Sequence, residues 1–158
     1  TAVVKVLNDI FSAFDHLADR HGLEKIKTIG DAYMVVGGLP TPREDHAEAI
    51  ANMAIDILHE IRLLSLDHSE PFSIRIGIST GPVVAGVIGL KKFIYDLWGD
   101  TVNIASRMES HGITGCIQVT TETYEILKDK YTFQRRGAIQ VKAKGDMVTY
   151  LLKGKKEG

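Results

Sequence analysis

Asn103 and Arg107 stand four positions apart in Tyr95-Asp96-Leu97-Trp98-Gly99-Asp100-Thr101-Val102-Asn103-Ile104-Ala105-Ser106-Arg107, where a strand end runs through glycine into a helix. At that spacing an amide and a guanidinium share one helical face, one turn apart. The pair suits a sugar-phosphate ligand, because Arg offers a planar fork to phosphate oxygens and Asn both donates and accepts at a ribose. The competing reading is an exposed helix face on which Arg107 pairs with Glu109 or with solvent, and helix patterning alone does not choose between the two. A second cluster, Lys27-Thr28-Ile29-Gly30-Asp31, sets a cation and a carboxylate around the tip of a tight hairpin. Taken singly it reads better as a routine turn, since Asp and Gly are favoured there for backbone reasons. A third cluster places Lys142 and Lys144 near a bend between strands. Such lysines usually protect an edge strand, and they equally suit the neutralisation of a polyphosphate tail.

Other chemistries find no support. The sequence has no G-x-x-x-x-G-K-[ST] phosphate loop, no strand-linked G-x-G-x-x-G and no H-E-x-x-H. The histidines at 16, 21, 46, 59, 68 and 111 never form a helical i, i+4 pair that would grip zinc, and they read as solvated surface residues. Cys116 has no partner cysteine and reads as a bland, buried or half-buried thiol.

The elements that must position these residues follow from periodicity. Val3, Leu7, Ile10, Phe11, Phe14, Leu17 and Ala18 recur at helical spacing from Ala2 to His21, and Gly22 closes the run. Lys25–Thr28 and Ala32–Val36 form a hairpin around Ile29-Gly30-Asp31, and a second helix runs from Asp45, its cap, to about Ser65. Phe72–Ser79 alternates as a strand, Val83–Ile88 follows the Gly81-Pro82 turn, and Phe93–Leu97 completes a hairpin with it. The helix opened by Gly99-Asp100 extends to about Ser110, with Val102, Ala105 and Met108 apolar. Ile117–Val119, a short helix over Thr121–Lys128, and strands at Tyr131–Val141 and Thr149–Lys153 finish the chain. The order predicts an α+β layer sandwich built on an antiparallel sheet, its helices gathered on one sheet face.

Composition bounds the partners. The chain has 158 residues, 44% hydrophobic and 25% charged, with 19 Lys+Arg against 20 Asp+Glu for a net charge of -1. That size supports one domain with a real core and without disulfides. A near-neutral balance argues against nucleic acid and against an anionic membrane, so an anionic ligand must be held locally. Apolar runs such as Ala32–Leu39 are too short to span a bilayer. The first residues, Thr1-Ala2-Val3-Val4, already sit inside a helical pattern with no initiator methionine, which leads us to expect a fragment of something longer.

Three segments in consistent order resemble a class III nucleotidyl cyclase catalytic domain over nearly the whole chain. They are Glu24-Lys25-Ile26-Lys27-Thr28-Ile29-Gly30-Asp31-Ala32-Tyr33-Met34, Arg75-Ile76-Gly77-Ile78 with Gly81 to Gly89, and Tyr95 to Met108. The resemblance implies a ferredoxin-like antiparallel sheet with helices. It assigns Asp31 to a site for two divalent cations, Mg2+ or Mn2+, and gives Lys27 and Asp96 the selection of adenine. Guanylyl cyclases resemble a glutamate and a cysteine at those two positions. Lys donates to an adenine ring nitrogen and Asp accepts from the exocyclic amine, whereas guanine presents a carbonyl oxygen that a carboxylate repels. Asn103 is implied to orient the ribose, Arg107 to steady charge on the α-phosphate and Lys142 to bind the triphosphate, with Lys144 beside it.

The implied reaction is the conversion of ATP to 3′,5′-cyclic AMP and pyrophosphate by in-line attack of the ribose 3′-hydroxyl, assisted by two metals. In the family the site lies between two catalytic domains placed head to tail, so a homodimer with two equivalent sites is expected and a lone chain should be inactive. The family's first strand, a Phe-x-Asp-Ile-x-Gly-Phe-Thr-like segment carrying the other metal aspartate, has no counterpart here; Asp9 and Asp15 do not match it. An N-terminally truncated single domain over 1–158, cytoplasmic or the cytosolic part of a membrane-anchored protein, is therefore expected. The rival reading is a catalytically silent cyclase-like module that binds nucleotide or dimerises. A diguanylate cyclase is disfavoured, because Gly37-Gly38-Leu39-Pro40 departs at once from that family's Gly-Gly-[Asp/Glu]-Glu-Phe hairpin.

Overall fold

A computed structural model describes residues 2–66, 73–88, 94–141 and 144–157. The chain forms two compact units, Thr1–Ser73 and Ile74–Gly158.

The first unit contains helix α1 (Ala2–Arg20), strands β1 (Glu24–Ile29) and β2 (Ala32–Val36), and helix α2 (His46–Leu66). The apolar stripe of α1 buries Ile10, Phe14, Leu17 and Ala18. Gly22, at φ 68, ends the helix in the left-handed region that glycine adopts without penalty. Arg43 caps the exposed carbonyls there, donating from Nη1 to His21 O at 2.8 Å and to Gly22 O at 3.0 Å. Its other nitrogens grip Asp45 in a two-pronged contact of 2.7 and 2.9 Å. That hydrogen bonding holds the Asp45 carboxyl below its ordinary value. α2 buries small residues, Ala47, Ala51 and Ala54, beside Met53, Ile57 and Ile61. His21, read from sequence as solvated, is largely covered and lies 2.7 Å from Asp56.

The second unit contains β3 (Ile76–Ile78), β4 (Val84–Ile88), β5 (Ile94–Trp98), helix α3 (Asp100–Ser110), β6 (Ile117–Thr120), helix α4 (Thr121–Leu127), β7 (Tyr131–Val141) and β8 (Gly145–Lys155). β4 and β5 pair as an antiparallel hairpin, while β3-β6-β8-β7 form a four-stranded sheet. The α+β architecture is as expected, with three details to correct. β3 pairs with β6 in parallel, so this sheet is mixed, and β3 is confined to Ile76–Ile78 rather than starting at Phe72, which lies outside the described residues. Nor do the helices of this unit, α3 and α4, gather on one face of it. Gln118 reaches α3 through the carbonyl of Met108, whereas Tyr150, paired with the next residue Val119, stacks on Tyr124 of α4 at 3.8 Å. Successive strand residues point to opposite faces, so α3 and the aromatic ring of α4 cover opposite sides. All four residues of β6 are buried as a result.

Candidate active site

The hairpin tip comes first. β1 and β2 pair from Ile29↔Ala32 outward, leaving Gly30-Asp31 as a two-residue loop with Gly30 at φ 59. Glycine supplies that left-handed conformation without strain, and Asp31 stands exposed beside it. The register slips between Lys25 and Lys27, making Ile26 the extra residue of a β-bulge. Without the bulge both lysines would share a face. With it, Lys25 pairs with Val35 and Lys27 with the adjacent Met34, so they face opposite ways. Lys25 lies 3.3 Å from Asp15 of α1 and over the Tyr33 ring. Lys27 is half-buried on the other face. A structural lysine is thus separated from the candidate base-reading lysine two positions away.

In the second unit, Asp96 is paired with Gly86 across the β4–β5 hairpin and is only 6% exposed. Its Oδ1 accepts the backbone N–H of Leu97 at 2.8 Å. Trp98 shares its face, with the indole packed over Gly86 where no side chain intervenes. Gly99 then takes φ 121 and α3 begins, its first turn tied by Thr101 Oγ1 donating to Pro82 O at 2.7 Å. Asn103 and Arg107 are both exposed, one turn apart on this helix. Glu109, the intrahelical partner considered for Arg107, pairs instead with Arg75 at 3.0 Å. Among the described residues no carboxylate pairs with Arg107.

Lys142 lies outside the described residues. Its neighbour Lys144 meets Asp100, in the first turn of α3, at 2.5 Å. Cys116 is half-buried, in keeping with the thiol read from its sequence position. For divalent cations, no group of three or more His, Cys, Asp or Glu among the described residues forms a ready cage. Asp31 nonetheless fits a hard cation that keeps its waters and takes other ligands from phosphates, being an exposed carboxylate with no described side chain paired to it.

Two features had no counterpart in the sequence reading: the bulges, and a polar link from β6 and β7 to the end of α3, buried at Gln118 and exposed at Arg136. Gln118 and Arg136 make that link, and no local pattern advertises it.

The fold and these motifs define a nucleotidyl cyclase catalytic domain of class III. The chain belongs to the adenylate and guanylate cyclase catalytic domain family, whose model matches residues 1–154. It is 52% identical over 154 residues to a Mycobacterium tuberculosis adenylate cyclase, covering 98% of this chain and 35% of the relative's length. The chain thus spans about a third of that relative. It is also 48% identical over 152 residues to the guanylate cyclase soluble subunit beta-2 of Rattus norvegicus, covering 95% of this chain and 22% of that protein. The guanylate cyclase domain of RhGC from Catenaria anguillulae, solved in complex with GTP, superposes with a TM-score of 0.92 at 41% identity, covering 98% of this chain and 85% of that one.

Proposed function

We propose that this chain is the catalytic part of an adenylyl cyclase, residues 1–158 acting as one catalytic domain that converts ATP to 3′,5′-cyclic AMP and pyrophosphate. The observation that carries the choice of base is Asp96, a carboxylate 6% exposed on the strand leading into α3. A buried acceptor-only group favours the exocyclic amine of adenine and repels the guanine carbonyl. Lys27, which the bulge turns to the face opposite Lys25, supplies the complementary donor to an adenine ring nitrogen. The mycobacterial relative's name supports the same choice.

In the proposed reaction a bond forms between the 3′-oxygen and the α-phosphorus while the bond to the bridging oxygen of the β-phosphate breaks. The 3′-hydroxyl proton passes to solvent, and pyrophosphate leaves with the electron pair of the broken bond. Asn103 fixes the ribose and Arg107 meets the charge growing on the α-phosphate oxygens. Lys142, with Lys144 next to it, neutralises the triphosphate. Asp31 would hold divalent cations, Mg2+ or Mn2+, whose chemistry is to acidify the attacking hydroxyl and neutralise phosphate charge. A homodimer placed head to tail would bring the Asp31 hairpin of one protomer to α3 of its partner. No helix among the described residues is long and apolar enough to cross a membrane, and a cytoplasmic setting, where ATP is available, fits the reading.

The test is product formation by the full-length protein from Mn-ATP and Mn-GTP. Cyclic AMP in clear excess is expected. Cyclic GMP at equal or greater rate would overturn the choice of base, and no product from either nucleotide would favour the silent nucleotide-binding module.

A further inference from the structure

Arg107 can stabilise a transition state only if its helix is held at one rotation and one height, and the described structure contains a device for that on the sheet side of α3. Gln118 is fully buried. Its Nε2 donates to Met108 O at 2.9 Å, and its Oε1 accepts from Arg136 Nη1. The same Nη1 donates to His111 O at 2.5 Å. The amide orientation is therefore fixed at both ends, because exchanging O and N would set donor against donor. The last carbonyls of a helix have no intrahelical partner, and two of those at the end of α3 are satisfied from outside by this pair.

Two further features bear on the same turn. Gly77 is the register partner of Gln118 on the neighbouring strand, and a Cβ there would lie 2.2 Å from Glu109 N and 2.6 Å from Met108 C. Its bareness lets β3 press directly on the helix backbone around Arg107. Arg136 is the extra residue of a second bulge, since Arg135 pairs with Tyr150 and Gly137 with the next residue, Thr149. Bulges re-aim side chains, and this one sends a guanidinium across the sheet to α3.

We infer that Gln118 and Arg136 are positioning residues, which clamp the C-terminal turn of α3 so that Arg107 meets the α-phosphate at a fixed place. The inference rests on the role proposed above for Arg107. Displacements near 1 Å can cost about 100-fold in rate. The expected result for Arg136→Met in the full-length protein is thus a fall in kcat of about 10- to 100-fold, with KM within about 2-fold. Arg136→Lys, whose ammonium can rebuild both contacts made by Nη1, should restore most of the rate. Because Arg136 acts through Arg107, the double variant with Arg107→Ala should be little slower than Arg107→Ala alone.

Hydrogen exchange of the α3 amides supplies a readout independent of turnover, and Arg136→Met should accelerate it without lowering Tm by more than a few degrees. Unchanged exchange in α3, or losses that multiply fully in the double variant, would overturn the positioning role. A variant too unstable to assay would overturn it in favour of a purely structural one if Arg136→Lys were equally unstable. Absence of product from the wild-type protein would instead overturn the functional reading itself.

Discussion

Tyr33 donates its phenolic hydrogen to Asp15 Oδ1 at 2.7 Å, tying β2 to α1 one pair back from the end of the hairpin whose tip carries Asp31. The ring also packs edge-on against Phe14 and tilted against Phe11. Burial, followed by the hydrogen bond and charge of Asp15, pushes the phenol well above its ordinary pKa.

A raised folded-state pKa means stability that is complete below the unfolded value, about 10 for tyrosine, and lost as pH rises beyond it. Wild-type Tm should therefore fall more steeply above about pH 10 than that of Tyr33→Phe, and the phenolate absorbance of Tyr33 should emerge only with unfolding. At neutral pH the same substitution should cost about 0.5–1.5 kcal/mol, the ordinary worth of one hydrogen bond. Parallel pH profiles for the two proteins would refute this.

Base selection is expected to reside in two side chains. Replacing them together, Lys27→Glu with Asp96→Cys, should move the ratio of kcat/KM for ATP over GTP toward GTP by at least about 100-fold, the equivalent of two good polar contacts reversed. Rates with each nucleotide decide it, and a general loss without a change in ratio would count against it.

Losing Arg107 should be costly for rate and cheap for folding. By analogy with oxyanion donors, Arg107→Ala is expected to lower kcat by about 10²–10³. Because the side chain is exposed, Tm should stay within about 2 °C. Near-normal turnover would remove Arg107 from the reaction.

The opposite pattern is expected at Gly77. A methyl group there would sit 2.2 Å from the backbone nitrogen of Glu109, so α3 must move outward. Gly77→Ala should destabilise by about 1–3 kcal/mol, the usual cost of overpacking. It should also lower kcat, and thermal melts read beside turnover would show both changes together.

Much of this was legible in the sequence. Helical periodicity located α1, α2 and α3, and glycine marked the loop at Gly30-Asp31 within a residue. Asn103 and Arg107 lie one turn apart on one helix as their spacing predicts, and both are exposed. What escaped was non-local. Ile117–Val119 reads as a strand, but nothing in the run shows that Gln118 and Thr120 are as buried as their apolar neighbours, which follows because a carbonyl of α3 meets Gln118 and Thr123 of α4 meets Thr120. The parallel pairing of β3 with β6 has no local signature. Nor have the bulges at Ile26 and Arg136, since an extra residue in a strand is visible only once its partner is known.

The β7–β8 hairpin could knit more evenly if it were one residue shorter. Deleting Arg136 would leave Arg135 opposite Tyr150 and Gly137 opposite Thr149, so every partnership on either side would survive. The surplus residue is thus superfluous to the weave and is accounted for by what it touches outside the hairpin. Trimming it should give a protein that folds as readily but holds its reactive helix more loosely.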